Sequence, residues 1–187
     1  MWLEAIITQE DLVQAMLELL PVKIHLQKEK VGEQAPPERW LELQAATSVI
    51  LVPDQGLRVT CPAELTWEIA GVSPTVKLDE LCVLIRPQVV EKHEGQVLEF
   101  QLEVEEVEFH SLPNFIDAAI IKAVNAELAT RKVEWNFTKT LTRTVNLGKT
   151  LDPVEALKLG VQWGKHRVSA DALALVVSFK LSFVRTV

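Results

Sequence analysis

The sequence predicts an α+β fold in which a long, highly curved antiparallel sheet wraps a long apolar helix, with a second, amphipathic helix at the N-terminus. Three observations carry this. "VLEFQLEVEEVEFH", Val97 to His110, alternates over 14 residues and breaks phase once, whereas strands usually run about 5–6 residues. "LPNFIDAAIIKAVNAEL", Leu112 to Leu128, would be apolar on most sides of a helix, which requires cover on most sides. The connections between apolar runs are short, which makes neighbouring strands antiparallel.

The first element is "TQEDLVQAMLELLP". Thr8 can cap a helix, with Asp11 at the position where a capping box usually has Glu. Leu12, Val13, Met16, Leu17 and Leu20 fall on one face, and Pro21 ends the helix. The period then changes to two in "VKIHLQK", where Val22, Ile24 and Leu26 alternate with Lys23, His25 and Gln27. "KVGEQAPPE" is a loop, because its paired prolines refuse a ladder. "WLELQAATSVILV" reads as one strand, and Pro53 to Gly56 as a turn. "GLRVTCPAELTWEIA" returns, with Pro62 marking a bulge or an edge, and "TVKLDELCVLIRPQVV" and the turn "EKHEGQ" follow. In Val97–His110 the doublet Glu105-Glu106 flips the faces, as one extra residue in a β-bulge does.

The apolar helix is expected over Leu112–Ala129, entered through Pro113, with Asn125, Ala118 and Lys122 as its narrow open stripe. Three long strands close the chain. They are "KVEWNFTKTLTRTV", then "LDPVEALKLGVQWGKHRVSA" with a phase shift near Glu155-Ala156 and a bend or bulge at Gly164–His166, and finally "DALALVVSFKLSFV". The order is helix, five strands, helix, three strands. At 187 residues the chain is one domain, 1–187, with a core of its own.

Composition excludes several classes of function. Hydrophobic residues make up 48% and charged residues 24%, a globular balance and not a disordered one. A net charge of −7 argues against nucleic acid as partner. The charge is uneven, with 8 Lys and Arg against 20 Asp and Glu in residues 1–112, and 11 against 6 in residues 113–187. The basic third, Arg131, Lys132, Lys139, Arg143, Lys149, Lys165 and Arg167, is either a solvated outer face or a face aimed at an anionic membrane surface. His25, His93, His110 and His166 lack metal-ligand spacing and are expected on solvated strand faces or turns. No Gly-rich phosphate loop or nucleophile elbow is present. Cys61 and Cys82 lie in strands, either paired or reduced and buried. "Asn136-Phe137-Thr138" matches a glycosylation sequon, which matters only in a secreted chain. A non-enzymatic protein without cofactor or metal is expected.

The order of elements, with "LPNFID" leading into a long apolar helix and "VEWNF" followed by paired terminal strands, resembles one module of the TULIP superfamily of tubular lipid-binding proteins. The resemblance covers most of the chain. It implies a curved sheet rolled around the helix, leaving an apolar tube for acyl chains. On that reading the ligand, a lipid or fatty acyl chain, is lined by Leu112, Phe115, Ile116, Ala119, Ile120 and Val124 of the helix. Facing them are the sheet residues Phe100, Leu102, Trp135, Phe137, Leu159, Leu175 and Val177. The same apolar surface also suits a filled core, which leaves a second reading: a structural module that self-associates, as a homodimer for instance, through the edge or end of "VSFKLSFVRTV". "MWLEAIITQED" has no basic region and no small-residue cleavage site, so a cytoplasmic protein is expected, or a periplasmic or secreted one if a leader precedes it.

Overall fold

The computed structural model describes residues 1–26, 39–66, 74–108, 114–148 and 153–185, the side chains of 106–108 and 114–119 aside. The chain opens with β1 (Trp2–Thr8), α1 (Gln9–Leu19), β2 (Val22–His25), β3 (Trp40–Leu43), β4 (Ser48–Val52) and β5 (Gly56–Thr66). The long hairpin of β6 (Thr75–Lys92) and β7 (Gly95–Glu108) follows, then α2 (Asn114–Leu128). After β8 (Lys132–Trp135), α3 (Phe137–Leu141) and β9 (Arg143–Asn146), β10 (Val154–Val168) and β11 (Ala172–Arg185) close the fold. Every described strand pair is antiparallel. The strands form two curled sheets, a seven-stranded one in the order β2-β3-β5-β6-β7-β8 with β4 also on β5, and a four-stranded one in the order β1-β11-β10-β9.

The capping box forms as read: the Thr8 N–H donates to Asp11 Oδ2 (3.0 Å), and the Asp11 N–H donates to Thr8 Oγ1 (3.2 Å). The Thr8 hydroxyl also donates to Asp11 Oδ2 (2.7 Å), and this bond, with that from the Thr8 N–H second, holds the Asp11 carboxyl below its ordinary value. Met16 and Leu20 of the expected apolar face are buried, but Leu17 is exposed. The bulge in β7 also forms. Val104 pairs with Val83 and Glu106 with Cys82, so Glu105 is the extra residue. Its carboxylate is gripped by Arg58 through two bonds of 2.7 and 3.2 Å.

Four expectations about the strands change. Residues 2–8, not read as a strand, form β1 along β11. "WLELQAATSVILV" is two strands on one edge of β5, parted at Gln44–Thr47. The break faces Pro62, which has no N–H to continue that ladder, and there the Gln44 N–H donates to the Pro62 carbonyl (2.9 Å). In β10 the extra residues are Glu155, as read, and Gln162, two residues before the expected bend. "KVEWNFTKTLTRTV" is not one strand but β8, α3 and β9, because Asn136 caps a helical turn, its Oδ1 accepting from the Lys139 N–H (2.8 Å). The sequon residues Asn136 and Thr138 are thus a helix cap and, as shown next, a packing joint.

The expected enclosure of a long apolar helix is not what the described residues show. α2 is 15 residues long, about 22 Å, and packs on β7, with Ile120, Val124 and Leu128 buried and Lys122 and Ala126 exposed. Asn125, expected on the open stripe, instead bonds the β7 backbone. Its Oδ1 accepts from the Val104 N–H (2.8 Å) and its Nδ2 donates to the Val104 carbonyl (2.9 Å). β8 pairs with β7 only from Leu98 to Gln101, so this amide satisfies an edge residue that β8 does not reach.

Two cores result. The larger lies on the inner face of the seven-stranded sheet under α1 and α2 and takes in Val168 of β10 and Leu173 of β11. The smaller joins the sheets around Phe137, whose ring is fully buried with Leu98, Leu175, Val177 and Phe179. A Cβ on Gly164 would sit 2.5 Å from Phe137 Cζ, so only glycine leaves room for the ring. Thr138 Oγ1 accepts from the Gln96 N–H (2.9 Å) and donates to the Gln96 carbonyl (3.0 Å), while Gln96 Oε1 accepts from the Gly164 N–H. Gly164→Ala is expected to destabilise the fold by about 1–3 kcal/mol through overpacking. Phe137→Leu in the same chain should recover part of that loss, so chemical denaturation of the double-mutant cycle reads a favourable coupling.

Candidate functional site

The candidate site is a cleft of about 430 Å³ on the inner face of the seven-stranded sheet. The sequence builds it by joining two apolar stripes across Pro21. Met16, Leu19 and Leu20 end α1, and Val22 and Ile24 continue the surface on β2. Leu43, Val59, Val83, Ile85, Phe100 and Leu102 form the floor from β3 to β7, because inward residues recur at every second position of a strand. Leu128, Arg131, Lys132 and Val133 close the side where α2 passes into β8. Thirteen of these fifteen residues are apolar and no described acidic residue lines the space. At the rim, Leu19 and Val133 are 56% and 64% exposed.

The expected lining divides into separate places. Phe100 and Leu102 line the cleft. Ile120 and Val124 pack against Leu41, Leu65 and Val104 around a space of only about 10 Å³. Phe137, Leu175 and Val177 are buried in the smaller core, and Leu159 packs against it. Trp135 is 38% exposed, its ring edge-on to Phe137 at 6.1 Å. Leu112 and the side chains of Phe115, Ile116 and Ala119 lie outside the described residues. The α1 and β2 walls were missed as lining. Their signal was the unbroken apolar face from Met16 to Ile24, which crosses the helix end.

Outside the cleft, behind its β7–β8 wall, lies a charged cluster. Glu99, its side chain 4% exposed, accepts from Lys132 Nζ (2.8 Å) and pairs with Lys92 Nζ (2.9 Å). Lys92 also meets Glu134. Lys132, with Lys92 second, holds the Glu99 carboxyl below its ordinary value against its burial, and Glu134, with Glu99 second, raises Lys92. The ammonium of Lys132 is therefore committed to the outer face, and only Arg131 brings a second cation to the cleft lining.

The remaining candidates carry less. Cys61 and Cys82 are reduced, with no disulfide between them, and Cys61 pairs with Leu81 while Cys82 pairs with Thr60. Successive strand residues face opposite ways, so the two thiols point to opposite sides of the sheet, and burial pushes Cys61 up. His25 and His93 are exposed as expected, but His166 is half-buried in β10, and burial pushes its value down. The basic third is scattered: Arg167 pairs with Glu4 (3.4 Å), Lys165 lies over Trp163, and the register sets Arg143 on the face opposite both. Among the described residues no group of three or more His, Cys, Asp and Glu is placed to hold a metal, and no helix is long and apolar enough to cross a membrane. The chain matches no protein-family model, no curated protein and no solved structure.

The Glu99 carboxyl is lower in the fold than in the unfolded chain, so the unfolded state binds the proton more readily. Its contribution is complete above the ordinary value of 4.5 and is lost as pH falls through the lower, folded value. Glu99→Gln is expected to lower Tm at neutral pH and to flatten its fall in acid. Thermal unfolding from neutral to acidic pH tests this, and parallel curves for the two proteins would refute it.

Proposed function

We propose that this protein binds a lipid or another long apolar ligand in the cleft between α1, β2 and the floor of the seven-stranded sheet. On this proposal the chain is a tubular lipid-binding module whose ligand lies beside α1 and the end of α2, not along α2. The observation that carries it is the unfilled apolar space itself. A side chain of that surface exposed to water forgoes about 25 cal/mol per Å², and ligand sites of about 300–1,000 Å³ are mostly apolar with few polar groups. Neither a metal nor a nucleophile enters the reading, and its chemistry is burial. Gently purified protein in native mass spectrometry is expected to carry a lipid, or to take up a fluorescent fatty acid once emptied. Leu102→Trp, which fills the floor, should abolish uptake without loss of Tm. Neither lipid nor uptake in the native protein refutes the proposal.

A second reading, self-association, has its own observation. At the far end of β10 and β11 the inner-face residues Leu181, Phe183 and Val145 are 49%, 58% and 52% exposed. A second copy covering this end would remove them from water. Size-exclusion chromatography with light scattering should give a dimer mass for the native protein and a monomer for Phe183→Ser. A monomer for both ends this reading and leaves the first untouched.

A further inference from the structure

The inner face of the seven-stranded sheet holds three spaces in a row along its strands. The first, about 10 Å³, is closed beneath α2 by Val104, Ile120 and Val124. The cleft of about 430 Å³ comes next. The third, about 40 Å³, lies where α1 and β5 meet β10 and β11, between Leu12, Leu57, Val168 and Leu173. Among the described residues two line both the cleft and the third space, Ile85 of β6 and Phe100 of β7. Their register partners are Leu102 and Pro87, so the pair sits diagonally across the ladder, within reach of an aromatic ring. Phe100 alone among these residues packs against both cores.

We propose that Phe100, seated beside Ile85, is the end wall of the cleft and sets the length of apolar chain that the protein accepts, an inference that rests on the cleft being the ligand site. An extended chain lying in the cleft along the strands meets this ring before it reaches β10 and β11. Beyond the ring there is space already, about 40 Å³ of it with apolar walls, but too little to hold a ligand by itself. Removing the ring joins that space to the cleft and adds the volume of the ring. A larger ring moves the wall the other way. The opposite end has no such reserve, since only about 10 Å³ remains beneath α2. Phe100 is therefore the position at which one substitution changes the length of the site while the rest of the lining stays in place.

The experiment measures affinity for saturated fatty acids of increasing chain length with native protein, Phe100→Ala, Phe100→Leu and Phe100→Trp, each verified as folded by circular dichroism and Tm. In the native protein affinity should rise about fourfold with each added methylene and then level off. Phe100→Ala is expected to move the levelling point to longer chains, Phe100→Leu by less, and Phe100→Trp to shorter ones. If Phe100→Ala is too unstable to assay, the leucine and tryptophan variants still predict opposite shifts. Native binding with the same levelling point in every folded variant overturns the end wall alone. A folded native protein that binds no chain of any length overturns the ligand reading of the cleft, and the end wall with it.

Discussion

The joint around Phe137 is the constraint on which the two-sheet architecture depends. Two curled sheets each present an apolar inner face, and something must hold those faces together. At one end Val168 and Leu173 join the larger core, and at the other a five-residue helix makes the joint with one ring and one hydroxyl. The ring enters β10 where a glycine removes the Cβ, and the hydroxyl pairs with the backbone of Gln96 at the start of β7. A second glycine, Gly95, stands where a Cβ would lie 2.5 Å from the Thr138 side chain. Both strands therefore yield space to α3, and the contact is shape as well as hydrogen bonding. The chain crosses between sheets at this point, with β8 in one and β9 in the other.

With the sheets joined there, the larger core is divided along its length. α2 fills one end of the trough, and the start of α1 with β10 and β11 nearly fills the other. The end of α1 and the β2 strand roof the middle without reaching its floor. Packed interiors rarely leave such volume among apolar walls, and the stability to tolerate it comes from the filled regions on either side. The charged cluster around Glu99 lies behind the β7–β8 wall, where two lysines satisfy a nearly inaccessible carboxylate and Glu134 pairs with one of them, Lys92.

Much of the fold was legible because its signals are local. The Thr8–Asp11 cap, the phase break at Glu105 and the alternation of β7 and β11 each follow from a few neighbouring residues. What was not legible depends on partners distant in sequence. Residues 2–7, "WLEAII", show no clean alternation, and β11 alone makes them a strand. Phe137 reads as a strand residue by parity, yet Asn136 caps a turn there and the Gly164 notch receives the ring. The site was legible only in part for the same reason. Phe100 and Leu102 follow from period two, whereas the share of Met16, Leu20 and Ile24 depends on how α1 lies over the sheet. The helix with few polar sides drew attention to its own surroundings, but there Ile120 and Val124 are packed and the open volume lies past the C-terminal end at Leu128.

Asn125 gives that open volume its permanence. By bonding both backbone groups of Val104 it acts as a single rung of a missing strand, and a rung admits one register. A slip of one residue along α2 would turn the helix by about 100°, withdraw the amide and set Val124 or Ala126 against two unanswered polar groups. The helix is thus pinned like a key in a lock, unable to roll or creep toward the neighbouring space and fill it. The frame itself shapes this space, so the ligand proposed for it would not meet the cost of opening it.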